Sequence, residues 1–456
     1  MPRPKRQRAA GACGAPGDGA GQQAEAGAAA LLAFPDGLPP SPGFDAFANR
    51  APPAELREGM QPYVDGTFSL AAIHPKRIFD LAFRPGGSSV LATGSDDDMV
   101  GLWQRRAVPV EGEGKHRHAW QQAACLAGHS DSVMRVCWVG GTGLLATGSA
   151  DRSAALWRPS LGQEGVDVQR SPLRRFEGHP EEVYASESLA AAGHSQLLTA
   201  SAKSLFIWDI ETGAKLHETR HGAARAASAE PAPPDPTAGY IFGARERPGG
   251  GLIAAPCSDG VLRLWEAAPG AARPLSAMRL HDGVGTSVAF EAEGNLLASA
   301  STDGSLVVLD VRAWRVVMRF KGSTPLMSAC FLPPRAGGCC VAAAGQDGNL
   351  WGFDLAPGGG MQQLNAYGLP VLGSWPMLCV AASDDGQRLA CAGEAMEADG
   401  ATMLDDNLGA HREMTGGEDA ASNVFFTNNP QHETNRTRAV AGIWQAGTMD
   451  TEATAE

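Results

Sequence analysis

The chain has 456 residues, 57 of them glycine and 31 proline, with charged residues at 19% and a formal net charge of −13. Turn formers this abundant fit many short strands better than long helices, and a surface this acidic repels phosphate backbones, which argues against a direct nucleic-acid binder. The nine cysteines are scattered without a CxxC pair, so they offer no metal-ligand spacing and fit a reducing compartment.

Residues 1–62 form an Ala/Gly/Pro-rich stretch with almost no β-branched residues. It carries too little apolar area to offset the entropy of ordering, so disorder is expected there. Within it, Lys5, Arg6 and Arg8 fit the short basic pattern of a nuclear import signal. The residues that follow are Gly and Ala, not the compact apolar core of a secretory leader. From residue 63 the character changes to short apolar segments punctuated by Gly, Pro and Asp. Strands are predicted at Phe68–Ala72, Ile78–Phe83, Val90–Gly94 and Val100–Trp103.

A pattern then recurs. LATGSDDDMVGLW at Leu91–Trp103 returns as LLATGSADRSAALW at Leu144–Trp157, LLTASAKSLFIW at Leu197–Trp208 and LIAAPCSDGVLRLW at Leu252–Trp265. It continues as LLASASTDGSLVVL at Leu296–Leu309 and VAAAGQDGNLWGF at Val341–Phe353. A unit this short cannot bury its own apolar face and must stack on its neighbours, and a period of roughly 40–60 residues suits a four-stranded sheet with variable loops. Inserts interrupt the rhythm at 108–118 (charged), 223–236 (Ala/Pro-rich) and 399–437 (acidic and polar). Each lengthens a loop at small entropic cost. Strands at Leu378–Ala382, Arg388–Gly393 and Ala439–Trp444 supply a last unit, and residues 448–456 read as a disordered tail. The longest charge-free stretch, Leu355–Ser383, is cut by three prolines, so no spanning helix and no membrane partner are expected.

These units resemble the WD-repeat (WD40) β-propeller family. The second is a close match, with Gly128-His129, a strand at Val133–Trp138, Ser149, Asp151 and Trp157. The resemblance implies a buried network linking His129, Ser149, Asp151 and Trp157. The first unit keeps His74, Ser95, Asp97 and Trp103. The third keeps His179, Ser201 and Trp208, with Ala202-Lys203 where the turn aspartate belongs. The fourth keeps Asp259 and Trp265, with Cys257 at the hydroxyl position. The fifth has His281, Ser301 and Asp303 but Leu309 for tryptophan, and the sixth has Asp347 and Phe353 without a histidine. The implied architecture is all-β: a seven-bladed propeller of four-stranded antiparallel blades over 63–447. The strand near Phe68 pairs with the chain's last strands to close the ring, which removes exposed edges.

Catalytic, metal and cofactor sites are not expected. Asp96-Asp97-Asp98 reads as a solvated turn, and the histidines at 74, 129, 179 and 281 recur once per unit instead of converging. No GxSxG, HExxH or phosphate-loop pattern occurs. The expectation is a non-catalytic scaffold binding proteins or peptides as a subunit of a larger complex, nuclear, with the cytoplasm as the alternative. By the resemblance, Arg77, Asp131, Glu181, Glu182 and Asp282 lie on the face that meets partners, and their acidity favours basic peptides. Asp310 and Arg312 resemble the end of the box by which WD-repeat receptors engage the adaptor of cullin-type ubiquitin ligases, making a substrate receptor the alternative. A ribonucleoprotein assembly factor, contacting basic proteins and not RNA, is a weaker third.

Overall fold

Segments such as Val90–Ser95 (VLATGS) and Arg388–Gly393 (RLACAG) are buried along their whole length. They must therefore be covered on both faces, and their small residues let the covering layers come close. Gly94 and Gly148 show the constraint: a Cβ on either would lie about 3 Å from the Val133 or Val183 carbonyl and side chain of the next unit. The computed structural model describes residues 31–32, 67–109, 116–161, 166–220, 239–335, 338–355, 366–370, 376–396 and 437–445.

Those residues build an all-β propeller. Two single 3-10 turns, Gly140–Thr142 and Ala190–Ala192, accompany the strands. Six blades come from consecutive strands. The first holds Ile78–Phe83, Val90–Ser95, Val100–Pro109 and His116–Leu126; the second Val133–Val139, Leu144–Ser149, Ala154–Trp157 and Arg174–Phe176. The third runs from Val183–Ser188 to Lys215–Arg220, the fourth from Arg245–Glu246 to Ala271–Arg279, the fifth from Gly285–Phe290 to Arg315–Lys321, and the sixth from Leu326–Arg335 to Ala366–Pro370. A further sheet joins Met377–Ala382 and Arg388–Gly393 to Thr437–Gln445, which pairs antiparallel with Thr67–His74, placing Phe68 opposite Trp444.

Apolar packing lies between blades. Val90, Ala92, Leu102 and Leu126 of the first blade meet Val136, Trp138, Leu145 and Trp157 of the second. Each such buried valine or leucine contributes about 1.5–3 kcal/mol relative to exposure. Where the first blade meets the last sheet, Arg388 donates to the Ser88 carbonyl and hydroxyl and lies over the Trp120 ring at 5.9 Å. The Gly86 amide donates to Asp384 Oδ2 at 3.3 Å across the same seam.

Three features depart from the sequence expectation. Three sheets have five strands, not four: parallel Asp167–Gln169 beside Ala124–Leu126 and parallel Leu31–Leu32 beside Ala277–Met278 extend the first and fourth blades, and antiparallel Ala395–Met396 beside Thr437–Arg438 extends the last sheet. Leu31–Leu32 falls inside the stretch expected to be disordered; the rest of 1–62 lies outside the described residues, as do 223–236, 399–436 and 448–456. The insert at 108–118 is drawn into the first blade, because hairpin pairing continues to Pro109 opposite His116.

The tight turn between second and third strands needs a left-handed residue at its end. Glycine supplies it at Gly260 (φ 74°), Gly304 and Gly348 (φ 78°), whereas Asp98 and Arg152 adopt φ 66°. A Cβ on Gly260 would also run into the His281 and Gly283 carbonyls. Gly260→Ala is expected to lower unfolding free energy in urea by about 2 kcal/mol or more, while Gly87→Ala, with nothing near its Cβ, stays within about 0.5 kcal/mol of the parent.

Candidate functional site

In the first, second, third and fifth blades the polar hub begins with a histidine just before the inner strand. His129 Nδ1 donates to Asp151 Oδ2 at 2.8 Å, and its Nε2 accepts from Thr147 Oγ1 at 2.7 Å. The Trp157 indole N–H donates to the same Thr147 oxygen at 3.0 Å. For a neutral imidazole the proton order is therefore indole to hydroxyl, hydroxyl to imidazole, imidazole to carboxylate. The first blade repeats it: His74 to Asp97 at 2.7 Å, His74 to Thr93 at 2.8 Å, and Trp103 to Thr93 at 2.9 Å.

The hydroxyl at the centre is thus Thr147, not the expected Ser149. Trp157 sits opposite Leu145 in the register, and its indole reaches one diagonal, to Thr147, whereas Ser149 lies two rungs further along at the turn. There Ser149 donates to the Asp131 carbonyl at 2.9 Å and accepts the Asp151 amide at 3.0 Å. Ser95 makes the corresponding bonds to Lys76 and Asp97, and Ser201 bonds the backbone of Glu181. The serines shape turns; Thr93, Thr147, Thr199 and Ser299 carry the hubs. The missed signal is the second hydroxyl two positions upstream in each of those units.

Divergence alters the hubs in ways the register explains. In the third blade, which lacks the aspartate, His179 keeps Thr199 at 2.8 Å, Trp208 also binds Thr199, and Nδ1 turns to the Arg152 carbonyl at 3.2 Å. In the fifth, His281 bridges Ser299 and Ser305. Burial pushes both His179 and His281 down from the ordinary value of 6.5 to about 4. In the fourth blade the position matching Thr147 is Ala255, so Cys257 does not stand in for the hub hydroxyl, and the buried Trp265 Nε1 has no hydrogen-bond partner among the described residues. Asp259 there is held by both terminal nitrogens of Arg263, at 2.8 and 2.7 Å.

The segments preceding the inner strands form one rim. Arg77 Nε donates to Asp96 at 3.1 Å, and the same carboxylate accepts the Ser132 hydroxyl of the second blade. Asp131 accepts its neighbour's amide, Ser132 N, at 2.7 Å. Burial, together with the nearby Asp131, Asp97 and Asp96 carboxylates, holds Asp98 above its ordinary value, opposed by Lys76. Glu181 and Asp282 are exposed, and Glu182 accepts the Tyr184 hydroxyl. The structure therefore groups Arg77 with Asp131 and sets Glu182 against Tyr184, whereas Asp282 lies beside Asp303, its amide 2.8 Å from that carboxylate.

Inside the rim the inner strands slip register at one recurring place, leaving Phe79, Met134, Tyr184, Thr286, Met327 and Leu378 as extra residues. Such bulges twist a strand and re-aim its side chains. The Tyr184 ring meets Phe242 at 5.3 Å and Arg77 lies over Phe79 at 5.6 Å, so the collar is largely apolar and aromatic. Sequence reading passed over these residues, although adjacent apolar pairs such as Ile78-Phe79 and Val183-Tyr184 break the two-residue alternation there. The strands enclose a central cavity of roughly 380 Å³. Asp80, Arg135, Glu187, Arg245 and Glu246 line one arc, and Val288, Phe290, Ala329, Phe331 and Val380 the other.

Arg312 extends from the outer part of the fifth blade, its side chain 65% exposed, and grips Asp310 through Nε and a terminal nitrogen. That contact pulls Asp310 down to about 2. Lys5, Arg6 and Arg8 lie outside the described residues. Among the described residues no group of three or more His, Cys, Asp or Glu could hold a metal ion, and no helix is long and apolar enough to cross a membrane.

Blades with a histidine–aspartate–hydroxyl–tryptophan hub define a class of β-propeller. The WD domain, G-beta repeat family matches residues 69–104, 120–158 and 272–310: the chain carries WD40 repeats. It is 30% identical over 281 residues to transducin beta-like protein 3 of Bos taurus, covering 60% of this chain and 31% of that protein. It is 28% identical over 227 residues to WD repeat-containing protein VIP3 of Arabidopsis thaliana, covering 45% and 62%. Over 102 residues it is 30% identical to a chromatin assembly factor 1 subunit of Gallus gallus, covering 20% and 18%. The chain thus spans less than two thirds of each of these relatives.

Thr147→Val should cost about 1–3 kcal/mol in urea unfolding, because it strands the Trp157 N–H and His129 Nε2 in a buried site; Ser149→Ala, at the turn, should cost less. A second expectation concerns pH. His179 and His281 bind protons less readily folded than unfolded, so the unfolded chain holds more protons between about pH 6.5 and 4. Their contribution is complete above pH 6.5 and is lost as pH falls toward 4. Stability measured across that window should drop with falling pH, and His281→Asn should flatten the slope.

Proposed function

We propose that this protein is a non-catalytic scaffold, a seven-bladed propeller over 63–447 that recruits proteins into a larger, nuclear complex through its acidic rim and apolar collar. The observation that carries this reading is the rim itself. It presents Asp96, Asp98, Asp131, Glu181 and Glu182 around aromatic residues, on a chain whose net charge is −13. Acidic charge beside aromatic surface steers and holds basic, partly apolar segments of other proteins. Seven blades are favoured because the sheet tying Thr67–His74 to Thr437–Gln445 fits the ring as one blade more than the six built from consecutive strands. Relatives named as complex subunits, the chromatin assembly factor 1 subunit and THO complex subunit 3 of Arabidopsis thaliana, support membership of an assembly. The nuclear placement draws on the chromatin factor and on Lys5, Arg6 and Arg8.

A second reading, substrate receptor of a cullin-type ligase, is favoured by one observation: the exposed Arg312 guanidinium held out by Asp310.

Affinity capture of the full chain with mass spectrometry tests both. Asp131→Lys combined with Glu182→Lys should reduce the main captured proteins at least several-fold while thermal unfolding is unchanged; undiminished capture removes the rim from the proposal. Loss of a ligase adaptor on Arg312→Ala, with the rim variant silent, would favour the second reading. A fusion of residues 1–20 to a fluorescent protein should concentrate in nuclei, and an even distribution would count against the import signal.

A further inference from the structure

We infer that the propeller's channel contains a guanidinium seat, built by the Tyr184 and Phe242 carbonyls and the Asp80 carboxylate, which the chain fills with its own Arg135. The seat itself does not depend on the scaffold reading. Arg135 leaves the inner strand of the second blade, and its Nε donates to the Tyr184 carbonyl on the third at 2.8 Å. One terminal nitrogen donates to the Phe242 carbonyl, which precedes the fourth blade's first strand, at 2.9 Å, and the other lies 3.6 Å from Asp80 Oδ1 on the first. One planar group thus ties the inner edges of four blades, whose residues are 49, 55 and 107 positions away in sequence.

The bulge sets up the acceptors. Pairing with the second strand skips from Val183 to Ala185, so the Tyr184 carbonyl steps out of the ladder and accepts from Arg135. Phe242 follows the isolated bridge between Ile241 and Cys257; it donates its own amide to Pro256 while its carbonyl accepts from Arg135. The Asp80 second oxygen accepts the Val136 amide at 3.0 Å, which fixes the carboxylate, and its side chain is 8% exposed. Three fixed acceptors spread over the edges of one plane match a rigid fork of five donors. They do not match an ammonium, whose donors radiate from one point. Arg245 is engaged by Glu187 instead and does not compete for the seat.

With this seat filled, its three acceptors are not free for a second arginine. If the scaffold reading holds, a basic partner that reaches the channel must find acceptors other than these three.

The test is chemical rescue of the full chain. Arg135→Ala should lower the thermal midpoint by about 5 °C. Millimolar methylguanidinium should restore part of that loss saturably, leave the wild type unmoved, and outperform methylammonium. Arg135→Lys, which keeps the charge and loses the fork, should be destabilised nearly as much as Arg135→Ala. If Arg135→Ala does not fold unaided, refolding yield in methylguanidinium against methylammonium reads the same point. Equal action of the two cations, equal action on wild type and variant, or a lysine variant as stable as the wild type would overturn the seat. Loss of partner capture by the wild-type chain would instead sink only the scaffold reading.

Discussion

No sheet among the described residues can be stable by itself. The second strands of the blades are buried on both faces, so each blade depends on neighbours for most of its apolar burial. This dependence dictates the small residues at 92–95, 146–149 and 298–301, since bulky ones would hold the layers apart. It also explains why both ends of the propeller meet in one sheet. Without the pairing of Thr67–His74 with Thr437–Gln445, the last strand would leave an open edge. Arg388 reinforces that junction by binding Ser88 across the seam.

The hubs are a second layer of organisation, laid on a sheet that survives their loss. Blades one and two have the full set; blade three loses the aspartate, blade five the tryptophan, and blade four both the histidine and the hub hydroxyl. The buried Trp265 N–H, without a hydrogen-bond partner among the described residues, is tolerated because Trp265 still fills the contact between the third and fourth blades. An unmade bond of this kind costs about 1–3 kcal/mol, less than the large core contact contributes. Arg263 shows a different solution: with no histidine available, the turn aspartate is satisfied by a cation on the adjacent strand.

What was legible in the sequence follows from these two layers. The repeat, its turns and its tryptophans could be read because inter-blade burial fixes them at every period. The strand near Phe68 could be read because an apolar segment ahead of the first full unit has no other place to pair. The hub hydroxyl was misassigned because Thr147 and Ser149 share a face of the same strand, and only the register separates them. The bulged collar and Arg135 were illegible for a related reason. A bulge shifts alternation by one residue, and the acceptors of Arg135 belong largely to backbone groups, which carry no side-chain signature. Leu31–Leu32 escaped because two residues in an Ala-rich stretch present no periodicity at all.

Polar function is unevenly distributed around the ring. Complete hubs, the linked Arg77–Asp96–Ser132 contacts and most of the charged residues lining the channel fall on the first four blades, while the opposite wall mixes apolar side chains with Ser287, Ser328 and Asp384. A set of cross-blade bonds stiffens one arc: Arg135 spans four inner edges, and the Glu246 carboxylate accepts the Ala190 and Ala191 amides of the preceding blade. A surface presented on a stiff arc loses little conformational entropy when a partner binds. The acidic rim between blades one and three stands on that arc, so the surface on which the proposed scaffold role depends is already held in shape.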